Sequence, residues 1–264
     1  MSQPMYELKD VAVDLSNAAG TRRILADVSM TVMPKEVIAI VGRSGTGKTT
    51  LMRALSGLTK ATSGSLTLQG KPLNGPAEGV VTVFQDYGNA LLPWRTVFKN
   101  VALPLEGKVS RSELKERVAR AIASVQLNGR ENDYLSSLSG GMQQRVQIAR
   151  ALVLNPRVIL MDEPFGALDA LTKASLQDVL LGLHEDNDST IIFITHDLEE
   201  AIYLSDRTFV ISGNVSSGEP GHLSMEVPVD LPRPRNQITT REMPEYIALR
   251  HQLGNAIDLA KASA

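Results

Sequence analysis

Three short stretches carry residue types that can handle a nucleotide phosphate. Gly42, Arg43, Ser44, Gly45, Thr46, Gly47, Lys48 and Thr49 place three glycines, a lysine and hydroxyls in eight positions. They follow an apolar run over 37–41 and open a predicted helix. Glycines let backbone N–H groups close on phosphate oxygens, and the helix N-terminus adds a positive partial charge there. Lys48 is placed to reach the β- and γ-phosphates, and the Thr49 hydroxyl to ligate Mg²⁺, with Thr50 beside it. An ordinary glycine turn needs no Lys-Thr pair at a helix start. Further on, Asp162 and Glu163 end the apolar run 158–161. The first is placed to hold Mg²⁺ through water, the second to orient and polarise an attacking water. A solvated turn carries such a pair equally well, and the upstream phosphate loop decides against it. Between the two, Ser139, Gly140 and Gly141 open another predicted helix, where exposed amides and a hydroxyl make a second anion site.

These residues need a scaffold that brings strand ends together. The runs 37–41, 80–84, 158–161, 191–194 and 209–211 are continuously apolar, the pattern of strands buried on both faces of a mostly parallel sheet. Residues 6–15 and 65–68 partly alternate, as half-exposed antiparallel strands do. The stretch 49–58 predicts a helix with Leu51, Leu55 and Leu58 on one stripe. Residues 110–125 predict another, with Leu114, Val118, Ala121 and Val125 inward and Ser110 and Glu113 as a capping box. Met142, Val146, Ala149 and Val153 stripe a third, stopped by Asn155 and Pro156. The expected class is α/β, with residues 1–215 as one domain and a helical insert over about 88–150. After Gly213 the composition changes. Prolines force 227–235 to be extended, and 244–260 predicts a helix whose face of Tyr246, Leu249, Leu253 and Ile257 packs on the same domain.

The 264 residues suit one large domain with a small appendage, and a net charge of −2 argues against binding nucleic acid by general basic attraction. The absence of cysteine excludes disulfides and thiolate metal sites. The first ten residues lack the form of a secretory signal, and no segment approaches the ~18 apolar residues that cross a bilayer.

Taken together, the phosphate loop, the acidic pair and Leu138-Ser139-Gly140-Gly141-Met142-Gln143-Gln144-Arg145 between them resemble the ATP-binding-cassette (ABC) ATPases, over about residues 6–213. The resemblance implies a P-loop ATPase with a mostly parallel core sheet, an antiparallel β edge and a helical subdomain, using ATP and Mg²⁺. It implies two cassettes packed head to tail, so that Ser139, Gly140 and Gly141 close on ATP held by a second copy. Gln85 matches the family's glutamine loop, which touches Mg²⁺ and reports to a transmembrane partner. Ala167, Leu168 and Asp169 match the loop that crosses the dimer seam. His196 matches the switch histidine at the γ-phosphate. The implied catalytic set is Glu163, His196, Lys48 and Gln85, with Thr49, Gln85 and Asp162 at the metal. His184, His222 and His251 have no such context, and the four histidines form no metal-ligand spacing. In one place the chain departs from the pattern. Leu15 stands where the family stacks adenine on an aromatic ring, and Tyr6 is too early to substitute, so modest affinity or weak base selectivity is expected.

The residues 84–86, 91–97, Asn100 with Val101, 103–105 and 229–235 resemble the nitrate/sulfonate/taurine importer group, which also serves bicarbonate. That resemblance implies the ATP-hydrolysing motor of a membrane importer for a small nutrient anion, peripheral on the cytoplasmic face of the membrane. Its partners would be a second copy, transmembrane permease subunits and, indirectly, a solute-binding protein, with no nucleic acid. Residues 88–105 would form the groove for a permease helix, with Trp94 at the contact rather than in the core. The rival is a soluble ABC ATPase that remodels a protein or nucleic-acid complex. Translation factors of that kind carry two cassettes, and the interval 85–139 is too short for the coiled coil of chromosome and repair ATPases. A nucleotide kinase has no need of the Ser-Gly-Gly motif.

Overall fold

A computed structural model describes residues 3–17, 20–84, 90–166, 168–186 and 189–262. The strands are β1 (Tyr6–Asn17), β2 (Gly20–Val32), β3 (Val37–Val41), β4 (Ser63–Leu68), β5 (Lys71–Pro72), β6 (Val80–Val83), β7 (Val158–Asp162), β8 (Thr190–Ile194), β9 (Arg207–Asn214) and β10 (Glu219–Pro228). Among the described residues they form one sheet in the order β5-β4-β1-β2-β10-β9-β3-β8-β7-β6. β9, β3, β8, β7 and β6 run parallel to their neighbours in that series, with Val37 opposite Ile191 and Ile159 opposite Ile191. β1 with β2, β1 with β4, and β9 with β10 are antiparallel.

The continuous apolar runs have a direct cause. Val37, Ala39, Val41, Ile159, Met161, Ile191 and Phe193 point into one core, while Ile38, Ile40, Val158, Leu160, Ile192 and Ile194 point into another. Successive strand side chains face opposite ways, so a strand covered on both sides has no polar position to spare. Each such fully buried side chain contributes about 2 kcal/mol.

The helices are α1 (Lys48–Leu55), α2 (Val97–Ala102), α3 (Arg111–Ser124), α4 (Gly140–Leu152), α5 (Ala170–Asp186), α6 (Leu198–Leu204) and α7 (Pro244–Ala262). α2, α3 and α4 fill the stretch between β6 and β7. Ser110 caps α3 by accepting from Glu113 N–H at 3.2 Å, whereas the Glu113 carboxylate turns to Arg117 at 3.3 Å rather than closing the capping box. Val146, Ala149 and Val153 are buried along α4. Among the described residues no helix is long and apolar enough to cross a membrane.

Several expectations are corrected. α1 stops at Leu55, and Leu58 is exposed rather than on its buried stripe. Gly57 breaks the helix: it adopts φ 74°, a conformation other residues resist, and Gly57 N–H and Leu58 N–H turn back to the carbonyls of Ala54 and Arg53. The run 80–84 is not buried on both faces. β6 is the sheet edge, so Val80–Val83 is mostly half-buried and Phe84 is exposed. Beyond Gly213 the sheet continues through β10, which inserts between β9 and β2. Val227 and Pro228 belong to it, and no regular element follows until α7. α7 buries Tyr246, Leu253 and Ala256 and packs on α6 and β9.

Candidate functional site

The chemistry collects where three parallel strands end. Thr195 N–H donates to Ile40 O at 3.1 Å and Glu163 N–H to Ile194 O at 3.0 Å. These bonds tie the ends of β3, β8 and β7 together, so the phosphate loop, the acidic pair and His196 share one edge. Open parallel sheets place ligands at this carboxyl edge.

At β3 the loop turns into α1 through Gly47, at φ 93°, which offers no side-chain cap. A Cβ there would lie 2.8 Å from Leu25 Cδ2 and 3.1 Å from Ile24 O, so the position has neither the conformation nor the space for a larger residue. The first amides of α1 therefore remain available to an anion. Lys48 is buried and donates from Nζ to Gly42 O at 2.7 Å and Arg43 O at 2.6 Å. Burial pushes its ammonium below the usual value, against the pull of Glu163 and Asp162. Thr46 Oγ1 donates to Arg43 O at 2.9 Å and tightens the same turn.

At β7, burial raises the Asp162 carboxyl above its ordinary range, and the charge of Glu163 adds to this. A hydrogen bond from Thr49 and the charge of Lys48 oppose it. Glu163 adopts φ 46°, left-handed backbone that aims its side chain across the strand ends. Its Oε2 lies 3.4 Å from His196 Nδ1, with His196 itself 66% exposed. A cleft of about 360 Å³ opens beside these groups, lined by Ile24, Ser44, Gly45, Gly47, Lys48, Thr49, Thr50, Glu163 and Val215; Asp162 and His196 border it through their contacts with Thr49 and Glu163. A carboxylate touching a threonine hydroxyl is a pair of hard oxygen donors suited to Mg²⁺, which takes one or two protein carboxylates and leaves the rest to water and phosphate. Among the described residues no cluster of three or more metal-ligating side chains competes with it.

The described residues of the Ser-Gly-Gly stretch and Asp169 do not line this cleft. Ser139 caps α4, accepting from Met142 N–H at 3.4 Å. Gly141 packs closely on α5, where a Cβ would lie 2.0 Å from Thr172 Cγ2 and force that side chain to move. Neither these two nor Gly140 lines the cleft. Asp169 precedes α5 and accepts from Thr172 N–H at 3.1 Å, and its contacts with Thr172 hold its carboxyl below the ordinary range. Gln85 and Ala167 lie outside the described residues. The flanks of the Gln85 stretch are held by α4: Gln147 donates to Phe84 O at 3.1 Å and Arg150 to Ala90 O at 2.7 Å. Trp94 is 71% exposed and is not a core residue. Tyr6 is buried and donates to Leu55 O at 2.8 Å, which removes it from any base-stacking role. Leu15 pairs with Arg22 and is exposed, and the apolar cover of the cleft comes instead from Ile24 and Val215.

Sequence reasoning also missed the groups around His196. Thr195 Oγ1 donates to the Glu200 carboxylate and accepts from Asp197 N–H at 3.0 Å. Lys173 of α5 bridges Asp197 at 3.0 Å and Glu200 at 2.7 Å. Burial of Glu200 raises its carboxyl, opposed by Lys173 and Thr195. No local spacing signals these contacts.

With the geometry in place, similarity to known proteins is informative. A family model described as ABC transporter matches residues 25–166. A nitrate transport protein of Klebsiella oxytoca is 38% identical over 95% of this chain and 95% of its own length. An aliphatic sulfonates import ATP-binding protein of Pectobacterium atrosepticum is 40% identical over 89% of this chain and 83% of its length. A nitrate import ATP-binding protein of Synechococcus elongatus is 39% identical over 88% of this chain, which spans only 35% of that longer protein. Among solved structures, a dimeric ATP-binding cassette bound to ADP and Pi superposes with TM-score 0.72 and 29% identity, covering 85% of this chain and 99% of that one.

Proposed function

We infer function from one premise: the chain belongs to the ABC transporter family. We propose that it is the ATP-hydrolysing motor subunit of a membrane importer for a small nutrient anion of the nitrate, bicarbonate or sulfonate kind, the solutes for which its relatives are named. The observation that carries the ATPase part is a cleft lined by Lys48, Thr49 and Glu163, with Asp162 bonded to Thr49 and His196 beside Glu163 at its border.

The amides of the phosphate loop and the start of α1 bind the phosphate oxygens. Lys48 exchanges its two carbonyl partners for the β- and γ-phosphates, gaining an anion in a site where burial works against its charge. Thr49 and Asp162 would hold Mg²⁺, which would neutralise developing charge on the phosphates. Glu163 accepts a hydrogen bond from the attacking water and aligns it with the γ-phosphorus. The bond to the β–γ bridging oxygen breaks, its electron pair leaves with ADP, and the water proton passes to phosphate. His196 donates toward the γ-phosphate from its place beside Glu163. Gly42, Arg43, Ser44, Gly45, Thr46, Gly47 and Thr50 complete the cradle. A second copy, packed head to tail, supplies Ser139, Gly140 and Gly141 to the γ-phosphate and Asp169 to the seam. Gln85 reports nucleotide to the permease subunits, which the exposed Trp94 meets and which take the solute from a binding protein outside. The motor itself sits on the cytoplasmic face of the membrane.

Glu163→Gln tests both parts. The variant keeps the shape of the cleft and removes the charge that orients water. ATP binding should be retained and steady-state hydrolysis should fall by roughly 100-fold or more. Hydrolysis at the normal rate would sink the assignment. Purified from native membranes with ATP, the same variant should bring down a multi-span permease, and a soluble partner alone would overturn the transport reading.

A further inference from the structure

The last helix touches both sides of the catalytic centre. Glu199 stands in the first turn of α6, three residues after His196. Tyr246 of α7 is buried and donates its hydroxyl to the Glu199 carboxylate at 2.8 Å, with Glu199 O at 3.1 Å. Arg241 and Arg250 bring guanidinium nitrogens within 3.7 and 3.6 Å of the same carboxylate. About three turns further on, roughly 16 Å along the helix, Ile257 reaches a cavity of about 90 Å³ behind the phosphate loop, shared with Gly42, Arg43 and Thr46. α7 thus runs from the base of the switch-histidine helix to the rear of the loop that cradles phosphate.

Two further fixed points near His196 depend on a single residue of α5. Lys173 holds Asp197 and Glu200, and Glu200 in turn holds Thr195. Asp197 also caps α6 by accepting from Glu199 N–H at 2.9 Å. The neighbours of His196 are therefore anchored, while its own ring stays exposed beside Glu163. Space alone does not call for the Tyr246 hydroxyl, since phenylalanine fills nearly the same volume. Its bond is directional and ties the first turn of α6 to α7.

We propose that Tyr246 is a positioning residue for His196: by holding Glu199 from α7, it sets the start of α6 and with it the approach of the His196 imidazole to Glu163 and the reacting phosphate. The C-terminal helix is then part of the catalytic frame, a role outside the cassette motifs. This rests on the ATPase reading above.

The test is steady-state ATP hydrolysis by the full chain carrying Tyr246→Phe, His196→Ala, or both. Tyr246→Phe should lower kcat roughly tenfold, as small misplacements of reacting groups do, with KM for ATP within about twofold. In the His196→Ala background it should cost nothing further, because there is no imidazole left to misplace. A Tyr246→Phe protein with a lower Tm but the wild-type kcat would overturn the proposal and leave a packing role. An equal loss of kcat with and without His196 would overturn it too. If His196→Ala alone hydrolyses ATP at the wild-type rate, the role of His196 falls first and this proposal with it.

Discussion

At α1 the residue before the helix is Gly47, left-handed and without a capping side chain; at α4 it is Ser139, whose hydroxyl takes the Met142 N–H. Both termini carry glycine, Gly47 before α1 and Gly140 as the first residue of α4, and both offer amides to an anion. Their surroundings differ. The α1 terminus begins with a lysine that feels two carboxylates, beside a cleft of about 360 Å³. The α4 terminus has its hydroxyl turned onto its own backbone, and its Gly141 is pressed against Thr172. The first gathers its cation, carboxylates and amides within one chain. The second has the ingredients of a receptor but no charged group of the cleft beside it, which is the condition of a surface that meets its ligand on another molecule.

The largest expected effect comes from removing the charge at the α1 terminus. Lys48→Ala should weaken ATP binding by roughly 100-fold or more, given the strength of two charge-assisted bonds, as read by equilibrium titration. Unchanged affinity would erase the distinction between the two termini. Gly141→Ala should be next. Its methyl would force Thr172 Cγ2 to move, so the protein should lose about 2 kcal/mol and melt several degrees lower. Adding Thr172→Ser, which removes that methyl, should restore most of the loss. No rescue would mean that Gly141 is needed for something other than close packing. The smallest structural effect belongs to Ser139→Ala, a cap worth less than about 1 kcal/mol at 3.4 Å. Its ATP affinity as a single chain should stay within about twofold, while hydrolysis falls at concentrations where two chains associate. A matching loss of single-chain affinity would place Ser139 in its own chain's cleft and undo the comparison.

The contrast also marks what the sequence discloses. The placing of Lys48, Thr49, Asp162 and Glu163 together is legible because each lies within a few residues of a strand end, where local spacing dictates geometry. β3, β7 and β8 are legible because cover on both faces leaves them continuously apolar. β10 was not. Its residues include Gly221, His222, Ser224 and Glu226, and it pairs with β2 only at Gly221 opposite Leu25. Its glycine answers a distant demand, since a Cβ at Gly221 would lie 1.9 Å from Thr46 O in the phosphate loop. Leu58 and Phe84 were misplaced for a similar reason: apolar type alone does not tell a helix stripe or an inner strand from an exposed residue beside a glycine turn or a sheet edge. The frame around His196 was invisible because Lys173, Glu200 and Tyr246 come from separate helices and meet only in the folded chain.

β3 carries the phosphate loop, yet it pairs with β8 and β9 and with nothing near it in the chain. Ile191 emerges roughly 150 residues after Val37, about ten seconds of ribosomal synthesis or more. Throughout that interval a wholly apolar strand awaits its neighbours, and the loop behind it has no floor. The earliest-made part of the motor is thus among the last to become competent, so a prematurely terminated chain should offer chaperones an exposed strand and should compete for no cellular nucleotide.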